Sequence, residues 1–268
     1  QPAMQSALYE AQKQYAKTGD KDLEELLVDI LVERALTPER NIHQIVLDEA
    51  LSIASKLTSE QMDTLTINFL ISQTHKYNLI NLETLINYFN TEIIPFTKYL
   101  TDSKSCYEHL VYAGCISLME TTYYKAIPEI MKERYPTLFS KGFTEEDFKS
   151  TVDEHLDYSP LVIKCFHYVN LIQFKAMDIN VLETMIQENN ISEENRSKII
   201  ALFNSIIMST EEVKMYLIEQ INELAQLFEL WDSCTLSKFN LTTVGIAIAQ
   251  ANYRIRTGLK LDLKIWVK

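Results

Sequence analysis

The sequence predicts an all-α fold, a helical-hairpin bundle or short α-solenoid with a small two-stranded β-ribbon near the C-terminus. Three observations predict it. The 268 residues hold only five glycines and six prolines, where an average chain of this length would carry about 19 glycines. Glycine and proline are the residues that interrupt periodic structure, so long uninterrupted runs remain. Helix-start signals recur along the chain, and between them apolar residues return at helical spacing. The period changes from 3.6 to 2 only beyond residue 234.

The helices are expected in order at 3–17, 21–36, 40–55, 59–75, 82–100, 104–120, 124–138, 145–155, 160–176, 181–189, 193–208, 211–232 and 243–256. Leu23, Leu26, Leu27, Ile30 and Leu31 share one face of the second. Thr58 and Gln61 form a capping box ahead of 59–75, with Leu57 and Met62 placed as a hydrophobic staple. Asn81 caps 82–100, stapled by Ile80 and Leu85. Thr144 begins 145–155, with Phe143 and Phe148 as its staple and Gly142 suited to end the segment before it. Asn180, Ser192 and Thr210 start the following helices, the last two ahead of Glu-Glu pairs that favour the positive end of the helix dipole. Val213, Leu217, Ile221, Leu224, Phe228 and Trp231 line one stripe of 211–232, and Met215, Ile218, Leu227 and Leu230 a second. That segment, roughly 33 Å long as a helix, is expected to be the buried spine. Residues 235–241 and 261–267 alternate polar and apolar, which suits two strands pairing around the 243–256 helix. The joint at 101–104 is the expected boundary between an N-terminal helical subdomain (1–100) and a C-terminal one (101–268).

Forty-seven per cent hydrophobic and 23% charged residues suit a folded domain, and no run of 18 apolar residues occurs. The net charge of −12 disfavours nonspecific contact with nucleic acid or anionic lipid. It is unevenly spread. Arg254, Arg256, Lys260, Lys264 and Lys268 stand against Asp262 in the last fifteen residues, a balance of +4, so the remainder carries −16. Cys106, Cys115, Cys165 and Cys234 are too few for a disulfide scaffold and sit in apolar helical contexts, which suits a reducing cytoplasm. The opening Gln1-Pro2-Ala3 has neither a methionine nor a signal-like stretch, and reads as a processed or truncated end of a longer protein.

Catalytic vocabulary is sparse. There is no Gly-x-Gly-x-x-Gly, Walker loop, Gly-x-Ser-x-Gly, His-Glu-x-x-His or Asp-Asp-x-x-Asp. Cys106, His109 and Cys115 invite a metal reading, but Cys106 and Cys115 lie nine positions apart, on opposite sides of one helix; Cys165 and His167 fail likewise. Asp22, Glu25, Asp29 and Glu33 form a carboxylate column, without the Glu-x-x-His pairs a di-iron bundle needs, and read as a solvated face. No cofactor or metal ligand set is expected. The fourteen tyrosines, Tyr123 and Tyr124 among them, read first as helix-packing residues.

Two stretches, AQKQYAKTGDKDLEELLVDILVER (Ala11 to Arg34) and LTTVGIAIAQAN (Leu241 to Asn252), resemble an uncharacterised family of bacterial cytoplasmic helical proteins. Leu47-Asp48-Glu49-Ala50 and Lys56 to Gln61 extend the resemblance along the chain. It implies further sequence before Gln1 and carries no functional residue with it. Leu241-Thr242-Thr243-Val244-Gly245 is also similar to a turn in winged helices and in helical proteins of abortive-infection systems.

The expectation is therefore a non-enzymatic interaction or regulatory module of a longer bacterial protein, in stress response or phage defence. It would work with a protein partner or by self-association, away from membranes. The alternative is nucleic-acid binding, with Arg254, Arg256, Lys260 and Lys264 on phosphates. The acidic remainder opposes it, and the basic segment is expected to pack on its own acidic body or on a partner.

Overall fold

A computed structural model describes residues 2–37, 39–119, 124–152 and 156–267. Among the described residues there are thirteen α-helices, helical structure covers 66%, and two small antiparallel sheets hold all the strands. In chain order the elements begin with α1 (Pro2–Thr18), α2 (Lys21–Ala35), α3 (Ile42–Ala54) and α4 (Ser59–Asn68), which runs on into a π-helical turn, Phe69–Gln73. Next come α5 (Leu82–Tyr88), a π-helical turn Phe89–Ile93, a 3-10 turn Ile94–Phe96, α6 (Lys104–Tyr112), β1 (Ile116–Leu118), α7 (Ile127–Arg134) and α8 (Glu145–Thr151). The hairpin β2 (Val162–Lys164) and β3 (Ile172–Phe174) precedes α9 (Ile179–Glu188), α10 (Glu193–Ser205), α11 (Thr210–Gln220), α12 (Leu224–Ser233), β4 (Phe239–Leu241) and α13 (Thr243–Thr257).

The chain forms two compact units, each discontinuous in sequence: residues 1–74, 89–124 and 223–268 make one, and 75–88 and 125–222 the other. This interleaving differs from the single division after residue 100 that the sequence suggests, since 89–124 falls within one unit.

In the first unit α13 packs against α2, α3 and α4. All ten residues from Val244 to Tyr253 are buried, because Gly245, Ala247, Ala249 and Ala251 let neighbouring backbones close in on several sides. The Leu-Thr-x-x-Gly turn explains how α13 is seated. Thr242 caps the helix by accepting the Gly245 N–H at 3.1 Å, and its own N–H donates to the Cys115 carbonyl at 3.0 Å. Gly245 lies so close to that carbonyl that a Cβ would stand 2.1 Å from the oxygen. Next to this seat β4 pairs with β1, Ile116 opposite Leu241 and Leu118 opposite Phe239.

The second unit has its own aromatic core, with Phe143, Phe148, Phe174, Leu182, Ile199 and Phe203 buried together. The Thr144 capping box is present, closed by Asp147, and its staple places the Phe143 and Phe148 rings 5.7 Å apart. Gly142, at φ +70°, ends the preceding segment and lets the hairpin pack tightly. A Cβ there would stand 2.9 Å from both the Cys165 sulfur and the Ile172 carbonyl oxygen.

Several expectations need correction. Residues 160–176 are not a helix but the β2–β3 hairpin, in which Val162 faces Phe174 across the ladder. β-branched and aromatic residues suit a pleated, half-buried surface, and here that preference prevails over the helical spacing. The ribbon near the C-terminus joins β4 to β1, not 235–241 to 261–267. The Asp262 carboxylate accepts the Lys264 N–H and starts a 3-10 turn, Leu263–Ile265, so Leu263 and Val267, one helical step apart, are the residues buried. The 104–120 helix stops at Tyr112, and 211–232 is broken at Ile221, whose backbone is extended (φ −144°, ψ 98°). Met215 is 63% exposed, so α11 is no spine, and α13 takes that role. The caps of α9 and α11 are Asp178 and Ser209, one or two residues before the expected Asn180 and Thr210.

Candidate functional site

The basic residues singled out by sequence lie at the end of α13 and in the loop after it. Arg254 meets Asp29 of α2 at 3.0 Å, and Lys260 meets Glu33, one turn further along α2, at 2.9 Å. Arg256 reaches both carboxylate oxygens of Asp63 on α4, at 2.8 and 3.0 Å, and donates a further hydrogen bond to the Pro95 carbonyl. Its guanidinium also stands 5.1 Å from the Phe96 ring centre. Lys264 makes no ion pair among the described residues, and Lys268 lies outside them. Three of the four candidate cations are thus engaged by carboxylates of the same chain.

The partners are sheltered, which gives these pairs weight. Asp63 is 1% exposed; it accepts from the Asn252 amide at 3.0 Å, and the same amide nitrogen donates to the Thr66 hydroxyl at 2.9 Å. Burial pushes the Asp63 carboxyl above its ordinary pKa, against the opposing pull of Asn252 and Arg256. Burial raises Asp29 as well, with Arg254 pulling it back. One turn deeper, the Tyr253 hydroxyl donates to Glu92. A desolvated carboxylate without its cation would be costly, so these contacts hold the basic segment down on the helices beneath it. The space enclosed by Asp29, Glu33, Gln250, Arg254 and Lys260 is about 30 Å³, room for little more than a water molecule.

The carboxylate column on α2 therefore has two halves. Asp29 and Glu33 receive the basic segment, each side chain being 18% exposed. Asp22 and Glu25 are exposed and border an open groove of about 610 Å³ between α2, the start of α4, Tyr99 and the end of α13. Sequence periodicity placed all four on one face. It could not show that half the face is covered by a segment more than 220 positions away.

The remaining candidates are structural. The Cys115 thiol is fully buried and burial pushes it up to about 12; burial also raises Cys106. Thiols so disfavoured as thiolates are poor nucleophiles and poor metal ligands. His109 shares its Nδ1 with the Gln61 side chain at 3.1 Å, and His167 places Nε2 2.7 Å from the Leu138 carbonyl. Among the described residues no three His, Cys, Asp or Glu converge as a metal site. The Tyr124 hydroxyl donates to the Asp232 carbonyl at 2.7 Å, and Tyr123 lies outside the described residues. His43, whose spacing from Arg34 and Arg40 fits no helical RNase pairing, is 5% exposed with neither ring nitrogen hydrogen-bonded. It faces Glu33, Asp262 and Lys264, and burial lowers its pKa.

A family model matches residues 1–267, and the chain belongs to that family, which is uncharacterised. No curated protein and no solved structure matches it. No helix among the described residues is long and apolar enough to cross a membrane.

Proposed function

We propose that this chain is a non-enzymatic helical module that scaffolds or regulates through contacts with other proteins. The pairing of Arg254, Arg256 and Lys260 with Asp29, Asp63 and Glu33 carries the reading. The cations best suited to phosphates already have partners, and a phosphate backbone would have to displace a buried carboxylate to reach Arg256. What faces outward is an acidic surface, which repels polyanions and suits cationic or mixed protein surfaces. Four unpaired cysteines support a reducing cytoplasm as its setting. The resemblance of its two sequence stretches supports a bacterial one, in stress response or phage defence.

Titration of the chain into labelled duplex DNA and single-stranded RNA tests this reading against the nucleic-acid alternative. The expected result is no binding at physiological salt. Micromolar or tighter binding that weakens steeply as salt rises would overturn it, because counterion release is the signature of phosphate contact.

A further inference from the structure

Gly258 caps α13, and the segment beyond it is fastened by side chains alone. Among the described residues no backbone–backbone hydrogen bond ties 259–267 to any other segment. Its own bonds are local, with Ile265, Trp266 and Val267 donating to the carbonyls of Asp262 and Leu263. Lys260 meets Glu33 at 2.9 Å, and Leu263 and Val267 are buried. The Trp266 indole N–H donates to the Gln73 carbonyl at 3.3 Å, its ring beside that of Phe69. A segment that shares no backbone bonds with its neighbours can open locally, without unfolding of the domain.

His43 lies against this segment. It stands in the first turn of α3, one turn before Leu47 and on the same face. Leu47 lines, with Leu261 and Leu263, the small cavity bordered by Asp29, Glu33, Arg254 and Lys260. Glu33 faces the imidazole from α2, and Asp262 and Lys264 face it from the segment. Neither ring nitrogen has a partner, and Gln250 of α13, in the lining of the same cavity, also leaves its Nε2 unpartnered. Polar atoms buried in this way lose their water and gain no hydrogen bond in exchange, so closing the segment over them is costly.

We propose that residues 259–267 form a proton-sensitive strap, closed over a neutral His43 and released from α2 and α3 when that imidazole is protonated. Under the closed strap an imidazolium is cut off from water and poorly compensated. Glu33 already holds Lys260, the Asp262 carboxylate accepts the Lys264 N–H, and the Lys264 cation repels a second positive charge. Once the strap lifts, water solvates the ring at its ordinary pKa near 6.5. The open form therefore binds the proton more tightly, and the balance moves towards it as pH falls through that value. Opening uncovers Ile30 and Leu47, both buried in the closed form, and frees Lys260 for another anion. It is a property of the single chain and needs no partner.

Hydrogen exchange of the full chain, read by mass spectrometry, tests this. The exchange rate of residues 263–267, divided at each pH by that of a free peptide of the same sequence, gives the open fraction of the strap. Between about pH 7.5 and pH 5.5 that fraction should rise several-fold, up to the ceiling of about tenfold set by one histidine of ordinary pKa 6.5. At both pH values it should exceed the open fraction of residues 244–253 in α13 by at least about tenfold, the mark of a local opening. The rise should vanish in His43→Leu, and equally in His43→Gln, which keeps a polar side chain where leucine disturbs the fold. An open fraction that stays level in the parent, or that rises as steeply in the folded His43 variant, would overturn the proposal. Equal open fractions for 263–267 and 244–253 would mean that the strap opens only when the whole unit unfolds, and would overturn it too.

Discussion

Three histidines and one glycine allow predictions at the scale of single residues. His43, His75 and His167 all have pKa values held below 6.5 by burial. The unfolded chain therefore binds more protons than the folded one in the window just below 6.5. Each neutral histidine contributes stability that is fully present above that pH and lost as pH falls through the window. The melting temperature should accordingly drop between about pH 7.5 and pH 5.5, before most carboxylates titrate. His43→Leu should flatten part of that slope; an unchanged slope would show that His43 binds its proton equally well in the folded and unfolded chain. At Gly245 an added methyl meets the Cys115 carbonyl oxygen at 2.1 Å, and backbone is the obstacle. Gly245→Ala should cost at least about 1–3 kcal/mol in denaturant unfolding. A neutral result would mean that α13 slides on its seat. Neither the histidine environment nor this contact was legible in the sequence, which shows a good helix start at Leu241-Thr242 but not the strand corner it leans on.

The elements separate into those that local chemistry specifies and those that tertiary packing decides. Capping boxes at Thr58 and Thr144 lie where residue type and spacing place them, because a side-chain oxygen and an N–H three residues on are neighbours whatever the fold. The 160–176 hairpin was not legible by periodicity. A short apolar run fits both a buried helix turn and a strand, and the hairpin is held by Phe143 and Gly142, some twenty to thirty residues upstream. The same holds for the basic segment, whose charge was plain in the sequence while Asp29, Asp63 and Glu33 as its partners were not. Thr242 is the element-scale test of how α13 is seated. Thr242→Ala removes the cap and the hydroxyl contacts to the Gly114 and Cys115 carbonyls, and should cost about 1–2 kcal/mol. Leu224 begins α12 fully buried, and Leu224→Ala should cost about 2–5 kcal/mol. A loss below about 1 kcal/mol would mean that this side of α12 meets water.

For the whole molecule the decisive feature is where its charge resides. A chain of net charge −12 folds its most basic segment onto sheltered carboxylates of α2 and α4. On the proposed reading these cations serve the fold and not a polyanion. The most direct measurement is the unfolding free energy of Arg254→Ala/Arg256→Ala/Lys260→Ala against the parent by denaturant titration at neutral pH. Arg254 and Lys260 are a third to a half exposed, so their pairs should contribute no more than about 1 kcal/mol each. Loss of Arg256 leaves the Asp63 charge buried without its cation, which should cost about 3–5 kcal/mol. The expected loss is at least about 3 kcal/mol, most of it recovered when Asp63→Asn is added. A variant as stable as the parent to within about 0.5 kcal/mol would contradict it, and would mean that the basic segment is free for another molecule.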